Sequence, residues 1–326
     1  MATIKDVAQA AGVSTMTVTR VLNNPECVRE ETKKRVTQVM SDLHYSPNIA
    51  AKHLVSNRTG IIDLYIPEKV DLSNPFFTHL IIGVSEVLSD NMYSLMILRN
   101  LNRIHKCDGY IVSGLEKGEI ELFRTLSDDQ NRPLVLFGHT AYEDVDCIDV
   151  DNVLGAKMAT SHLLDLDHKK IAMINVAEDK DYTDDRLNGY KQALAEQGLP
   201  FDETLLIYAE NSPTGGAKAI RQLLAQNTID AVFCATDTIA IGAISEIHNN
   251  KLSVPNDIAV MGFDGLGHNL LSTPTITSIR QPVYEIGGLL AQTLLDRMNG
   301  RTYKISQTIA PVFLEGGSDQ QKQIKF

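Results

Sequence analysis

The sequence predicts an α/β protein with a small all-helical N-terminal head and a larger body of parallel β-sheets. Residues 1–45 place apolar side chains at helical spacing, interrupted at Gly12. From residue 60 onward, short apolar runs alternate with amphipathic stretches. Strands that alternate with helices form parallel sheets with helices on both faces, so this second pattern indicates a βαβ body. A length of 326 residues suffices for two to three domains.

Two short helices joined by a tight turn are predicted at the N-terminus. Thr3 and Asp6 form an S/T-x-x-D/E capping pattern, which marks a helix start at about Ile4. Ser14 is a good N-cap for the second helix. Its predicted buried face consists of Val18, Val21 and Leu22. Its other face presents Thr15, Met16, Thr17, Thr19, Arg20 and Asn23.

A polar second helix of this kind fits the major groove of DNA, with its N-terminal residues at the base edges. The alternative is an ordinary helical hairpin in a bundle, because short helix pairs are common. A third helix is predicted over residues 29–43, with Glu30 and Glu31 in its first turn. Residues 48–55 offer at most two further helical turns, which are marginal alone in water, so a linker is the alternative there.

The charge is unevenly distributed along the chain. The whole protein has a net charge of −11. Residues 1–58 contain eight Lys/Arg and five Asp/Glu, a net charge of +3, which leaves −14 for the remainder. A basic head on an acidic body is the asymmetry expected when only the head meets phosphate.

The body divides into two similar blocks, at roughly 60–150 and 153–281, which suggests two lobes with a cleft between them. Strands are predicted at 61–66, 94–98, 109–112, 134–137, 171–176, 205–208, 231–235 and 258–263. Helices are predicted at 76–88, 155–166, 184–196, 217–224 and 239–248. Only about eight residues, 100–107, connect the second and third strands, although a parallel crossover normally needs a dozen or more residues.

Polar and aromatic side chains follow several predicted strands, at the end where such lobes bind ligands. One arginine together with several carboxylates suits a polyhydroxylated ligand, since each group hydrogen-bonds to two hydroxyl groups. The alternatives are core packing of Phe76, a structural salt bridge of Arg186 and helix capping by Asp237. The candidate ligand contacts are Phe76, Ser113, Asp151, Arg186, Thr236, Asp237, Asp264 and Gln281.

The sequence gives little support for an enzyme, a cofactor or a metal site. It contains no G-x-S-x-G, no Walker lysine motif, no G-x-G-x-x-G after a strand and no histidine pair at metal spacing. No apolar run approaches the roughly 18 residues of a membrane span. The first residues, which include Lys5 and Asp6, are not typical of a signal peptide. We therefore expect a cytoplasmic, non-enzymatic protein without a membrane partner.

Residues 11–23, AGVSTMTVTRVLN, resemble the helix-turn-helix of the LacI/GalR family of bacterial transcription regulators, and the similarity continues almost to the C-terminus. The resemblance implies a helix-turn-helix DNA-binding domain at 1–57 that includes a hinge helix at about 48–56. It also implies a periplasmic-binding-protein-like core at 58–326 for effector binding and dimerisation. Lobe 1 would comprise about 60–152 plus 282–312, and lobe 2 about 153–281 plus 313–326.

The resemblance also implies roles in DNA binding. Thr15, Met16 and Arg20 stand at base-reading positions, and Leu54 would wedge into the minor groove from the hinge helix, which also contains Lys52. Two departures from the family are Arg29, where a serine N-cap is usual, and Lys52, where arginine is usual. The expected phosphate contacts are Ser14, Thr17, Thr19, Asn23 and Tyr45.

The expected function is that of a repressor that binds a near-palindromic operator as a homodimer, or as a tetramer. Its effector would be a sugar or sugar phosphate held between the lobes, which shifts DNA affinity. One alternative is a regulator whose corepressor is a phosphorylated carrier protein. Another is a solute-binding protein, against which the missing export signal and the basic head both argue.

Overall fold

The structure is a computed structural model that describes residues 2–23, 25–45 and 58–319. The chain forms two compact units, residues 1–60 and 61–326. The predicted hinge helix at 48–56, with Lys52 and Leu54, lies outside the described residues. None of the helices within the described ranges is long and apolar enough to cross a membrane.

The N-terminal unit contains three helices packed around a small apolar core. They are α1 (Ile4–Ala11), α2 (Thr15–Asn23) and α3 (Glu30–Asp42). Val7, Val18 and Val36, one from each helix, are fully buried in this core. The predicted buried face of α2 is therefore confirmed, and its hydroxyl-rich face points away from the core.

The predicted ends of α1 and α2 are also confirmed. Thr3 and Asp6 form a reciprocal capping box, in which each side chain accepts a hydrogen bond from the other residue's backbone N–H. Gly12 ends α1 with a φ of 63°, a left-handed conformation that glycine adopts at little cost. The Ser14 hydroxyl oxygen accepts from the Thr17 N–H at 3.1 Å, which caps α2. Arg29, as expected, provides no side-chain cap for α3.

The second unit contains two six-stranded sheets, and the first of them is entirely parallel. Its strands are β1 (Ile61–Tyr65), β2 (Ser94–Leu98), β3 (Tyr110–Val112), β4 (Leu134–Phe137), β5 (Asp146–Val150) and β11 (Ser306–Ile309). They lie in the order β11-β5-β4-β3-β1-β2. The late strand β11 thus joins a sheet built from the first half of the body.

The second sheet is parallel except at one edge. Its strands are β6 (Ile171–Val176), β7 (Leu206–Ala209), β8 (Ala231–Cys234), β9 (Ala259–Asp264), β10 (Thr277–Arg280) and β12 (Val312–Leu314). They lie in the order β12-β10-β9-β8-β6-β7, and only β12 pairs antiparallel, with β10. The two sheets, with their helices, are called lobe A (first sheet) and lobe B (second sheet).

Helices cover both faces of each sheet, as the alternating pattern predicts. In lobe A, α4 (Pro75–Asp90) and α10 (Val283–Met298) pack on one face through Leu80 and Leu290, and α5 (Ile120–Gln130) packs on the other through Phe123. In lobe B the helices are α6 (Asn152–Asp165), α7 (Asp181–Glu196), α8 (Pro213–Gln226) and α9 (Asp237–Asn249). Helices α6 and α7 share one buried core and α8 and α9 share the other.

The short connection from β2 to β3 contains no α-helix. The chain passes β1 on its way between the two strands, with a single 3₁₀ turn at Leu101–Arg103. His105 of this segment places its Nε2 atom 3.1 Å from the Asp63 carboxylate of β1, and Asp63 has no exposed surface. Burial raises the pKa of Asp63. The segment therefore covers a buried acid instead of supplying a helix.

Candidate functional site

A cleft between the lobes, with a cavity volume of about 660 Å³, is the candidate ligand site. Its walls are formed largely by residues that follow the carboxyl ends of the parallel strands in both sheets. That is where open α/β sheets bind ligands. The volume falls within the range of roughly 300–1,000 Å³ that is usual for small-molecule pockets.

Six of the eight predicted ligand contacts line this cleft, and two do not. Lobe A contributes Phe76 at the start of α4 and Ser113 just after β3. The others in the wall are Arg186, Thr236, Asp264 and Gln281. The structure thus brings together residues that are up to 205 positions apart in the sequence.

Residues of lobe B hold Arg186 in place in the cleft wall. Its Nε atom donates to the Asn152 side-chain oxygen at 3.0 Å, and its Nη1 atom donates to the Ala235 carbonyl at 2.6 Å. The guanidinium lies 3.8 Å from the centre of the Phe263 ring. Its Nη2 atom makes no hydrogen bond within the described part of the chain. The arrangement leaves one donor edge of a rigid, buried cation available to a ligand.

Asp264 completes this part of the site at the end of β9. One carboxylate oxygen accepts from the Gln281 amide at 2.7 Å and lies 4.0 Å from Arg186. Burial raises the pKa of Asp264 to about 6, against the opposing effect of the Arg186 charge. The residue has a φ of 117°, which is costly for a side chain other than glycine. Such strain is common at ligand sites, where the surrounding structure holds the residue in place.

Asp151 and Asp237 are not among the residues that line the cleft. The Asp151 carboxylate accepts from the Leu154 N–H and caps α6. Asp237 has no exposed surface, and its carboxylate accepts from the Ser278 hydroxyl at 2.6 Å and the Gly265 N–H at 2.8 Å. Asp237 therefore holds the backbone just after Asp264, and it serves the site indirectly.

Several other residues that line the cleft are not among the eight predicted ligand contacts. Glu178, Lys180 and Tyr182 lie between β6 and the first turn of α7. Asn211 and Ser212 follow β7, which is the signal that identified the other strand-end residues. Asp149, by contrast, lies inside β5, where a buried strand gives no sequence signal for a ligand contact.

Two sets of ion pairs connect the lobes across the cleft mouth. His139, just after β4, places its Nε2 atom 3.1 Å from the Asp185 carboxylate of α7. Lys117, from the segment after β3, lies 2.6 Å from Asp184 and 3.5 Å from Asp179. The pair with Asp185 raises the pKa of His139 to about 9. His139 is therefore protonated at neutral pH, and these contacts stabilise the observed approach of the two lobes.

The His139 pair predicts a pH-dependent stability. Because the folded-state pKa of His139 lies above its ordinary value of 6.5, its contribution is complete below pH 6.5 and is lost as the pH rises through about 9. We expect the thermal midpoint of the ligand-free protein to fall more between pH 6.5 and 9.5 than that of His139→Gln. Differential scanning fluorimetry in matched buffers measures both slopes. Equal slopes would show that the His139–Asp185 pair contributes nothing to the pH dependence of stability. His248→Gln, outside the cleft, is the matched control.

Five of the seven predicted DNA-contacting side chains that the structure describes are exposed on the N-terminal unit. Thr15, Met16, Thr19 and Arg20 of α2 are exposed, and 65% of the Met16 surface is accessible. Ser14 and Thr17 are within hydrogen-bond distance of each other at 2.9 Å, and Tyr45 packs partly buried against the small core. The side chain of Asn23 lies outside the described residues, as do Lys52 and Leu54.

The fold and the site together define a class: DNA-binding transcriptional regulators whose body resembles periplasmic binding proteins. Residues 3–48 match the family described as bacterial regulatory proteins, lacI family, and residues 160–318 match the periplasmic binding protein-like domain. The chain belongs to the lacI family of bacterial regulators.

Curated relatives and solved structures agree with this membership. The chain is 38% identical over 301 residues to the HTH-type transcriptional regulator YvdE of Bacillus subtilis, covering 92% of this chain and 93% of that protein. It is 31% identical to the ribose operon repressor of Escherichia coli, covering 98% and 100%. A solved complex of the transcriptional regulator CelR with cellobiose superposes with a TM-score of 0.75 at 28% identity, covering 98% and 100%.

Proposed function

We propose that this protein is a cytoplasmic transcriptional repressor that binds a near-palindromic operator as a homodimer and responds to a carbohydrate effector. The observation that carries the proposal is that one chain contains both an exposed helix-turn-helix face and an inter-lobe cleft built around Arg186 and Asp264. The proposal assigns the protein no enzymatic activity. The tetrameric state and the hinge roles of Lys52 and Leu54 remain predictions from the sequence.

The chemistry of the cleft supports a carbohydrate. Arg186 offers a donor edge, and Asp264 offers acceptor capacity beside it. A hydroxyl group both donates and accepts, so adjacent hydroxyls on a sugar ring match such a pair. The relatives support the same reading, since one is named a ribose operon repressor and a structural neighbour was solved with cellobiose.

The two-lobed geometry supports control of DNA binding by that effector. A ligand that contacts both lobes favours their approach, and the two ion-pair sets already stabilise the observed approach. A ligand shifts a conformational equilibrium only by its difference in affinity for the two states. Effector and operator must therefore change each other's affinity by the same factor.

Replacement of Asp264 by asparagine tests the proposal. We expect Asp264→Asn to lose the effector response while the DNA affinity without effector stays within about twofold, because the residue lies in the cleft and outside the N-terminal unit. Thermal-shift measurements with a carbohydrate panel report ligand binding, in which a saturating ligand at about 100 times Kd adds roughly 2.7 kcal/mol of stability. Fluorescence anisotropy on an operator selected from random DNA reports DNA affinity.

Asp165→Asn, an exposed aspartate at the end of α6, is the matched control and should behave as wild type. A full effector response in Asp264→Asn would contradict the assignment of the cleft. If no carbohydrate stabilises the wild-type protein, the effector part of the proposal fails, and a protein corepressor becomes the next candidate to test by pull-down.

A further inference from the structure

We infer that the cleft selects an uncharged saccharide of more than one ring and discriminates against sugar phosphates. The inference rests on the proposed carbohydrate response and narrows it to one subclass of ligand. It depends on the charges that line the cleft, on how its cations are already bound, and on the size and aromatic content of the cavity.

The side chains that line the cleft carry an excess of negative charge. Seven are Asp or Glu, three are Lys or Arg, and His139 is protonated at neutral pH, which leaves a formal balance of three negative charges. Glu210 is exposed at the wall and has no charged partner within the described residues, and Asp181 stands in the first turn of α7. A phosphate group would enter this field with up to two negative charges of its own. Repulsion between like charges is strongest where water is displaced, as on the wall of a closing cleft.

Each of the three lysine and arginine side chains in the wall already has a partner. Lys69 pairs with Glu116, and Lys180 lies 2.9 Å from the Glu178 carboxylate. Arg186 donates to Asn152 and to the Ala235 carbonyl, with Asp264 beside it. A phosphate at Lys69 or Lys180 would compete with the carboxylate already paired there, and at Arg186 only the Nη2 edge is free of partners in the described part of the chain.

Side chains cap three of the helix N-termini at the cleft. Helix N-termini are common phosphate sites because their free N–H groups point at the ligand. Here Asn74, Ser212 and Thr236 cap α4, α8 and α9 with their own side chains. Helix α7 has no side-chain cap, but Asp181 and Asp184 in its first turn repel an anion. The N-terminus of α5, where Ile120 lines the cleft, also has no side-chain cap and holds Glu121 in its first turn. The caps and the acidic first turns therefore make these N-termini poorer anion sites.

The two histidines that line the cleft also have partners within the protein. His139 is paired with Asp185 across the cleft mouth, and its second neighbour is the buried Asp149. His268 Nδ1 lies 3.1 Å from the Thr238 hydroxyl. A protonated His139 therefore serves the contact between the lobes and offers an anion little net positive charge.

Size and aromatic content favour a ligand with more than one ring. The cavity of about 660 Å³ lies well above the lower end of the usual range of roughly 300–1,000 Å³. Phe76 from lobe A and Tyr182 from lobe B both belong to its wall. The Phe76 ring lies in an aromatic cluster with Phe77 and Phe137, at centre distances of 5.0 and 5.1 Å. Aromatic rings contributed by both lobes suit the apolar faces of two sugar rings.

Matched pairs of ligands test the inference on the full-length protein. Maltose, cellobiose and trehalose are each compared with a phosphorylated counterpart, and glucose is compared with glucose 6-phosphate, by isothermal titration calorimetry at pH 7.5. We expect at least one disaccharide to bind at least tenfold more tightly than its phosphorylated counterpart and than glucose. Glu210→Gln removes one negative charge from the cleft wall. We expect it to lower the ratio of the Kd of the phosphorylated ligand to the Kd of its neutral counterpart. Glu203→Gln, exposed in lobe B outside the cleft, should leave it unchanged.

Each outcome supports or overturns the inferred preference for an uncharged saccharide of more than one ring. A phosphorylated sugar that binds as tightly as its neutral counterpart, or more tightly, overturns the inference while it supports the proposed carbohydrate response. Glucose binding as tightly as every disaccharide overturns the part that concerns size. The absence of binding by any saccharide in the set overturns both the inference and the effector part of the proposed function.

Discussion

Arg186→Ala is expected to abolish effector binding, with a loss of at least about 100-fold in affinity. Hydrogen bonds to charged groups contribute about 1.5–3 kcal/mol each, and a ligand that bridges the Nη2 edge and Asp264 would lose two of them. Each 1.4 kcal/mol corresponds to a tenfold change in Kd. The change also leaves Asn152 and the Ala235 carbonyl without their donor, so we expect lower stability of the body as well.

Calorimetric titration with the tightest saccharide measures this loss, and circular dichroism shows whether the variant is folded. Arg186→Lys keeps the charge but not the planar fork, so we expect an intermediate affinity. Arg221→Ala is the matched control, because that arginine is 64% exposed and pairs with Glu246 outside the cleft. A folded Arg186→Ala protein with wild-type ligand affinity would remove Arg186 from the site.

The sequence was sufficient for elements whose local pattern agrees with their environment. All eight strands and five helices predicted in the body are present, with ends that differ by at most four residues. Strands β5, β10, β11 and β12 and helices α5 and α10 were not predicted. Strand β5 was missed because Asp146 and Asp149 interrupt its apolar run. Asp146 is fully buried there because Arg297 and Arg301, more than 150 residues away in sequence, both pair with it. No local pattern reveals a partner at that distance.

The candidate site was predictable for the same reason and to the same extent. A position at a strand end indicated Asp264, since the parallel order of the strands brings their carboxyl ends together, and the resemblance to the family indicated Arg186. The sequence could not show which way a strand-end carboxylate turns. Asp237 follows β8 just as Asp264 closes β9, yet the hydroxyl of Ser278 on β10 draws the Asp237 carboxylate inward. Burial raises the pKa of Asp237 to about 8, which suits a structural carboxyl group.

Arg20→Ala is expected to reduce binding to the cognate operator far more than binding to random DNA. Arg20 is exposed on α2, and the resemblance to the family predicts that it reads bases. An arginine that pairs bidentately with guanine contributes about 1–3 kcal/mol of discrimination, which corresponds to a loss of roughly 5-fold to 150-fold at the cognate site. Binding to random DNA depends on phosphate contacts and should fall only slightly. Competition anisotropy at fixed salt measures both affinities.

The charge-matched control is Arg35→Ala, an exposed arginine on α3. If Arg35 meets only phosphate or solvent, its loss lowers both affinities by the same factor, and the specificity ratio stays at the wild-type value. Arg20→Ala must therefore differ from Arg35→Ala in the ratio and not merely in affinity. Equal proportional losses on cognate and random DNA for Arg20→Ala would mean that Arg20 contributes charge alone, and base reading would then rest with Thr15 and Met16.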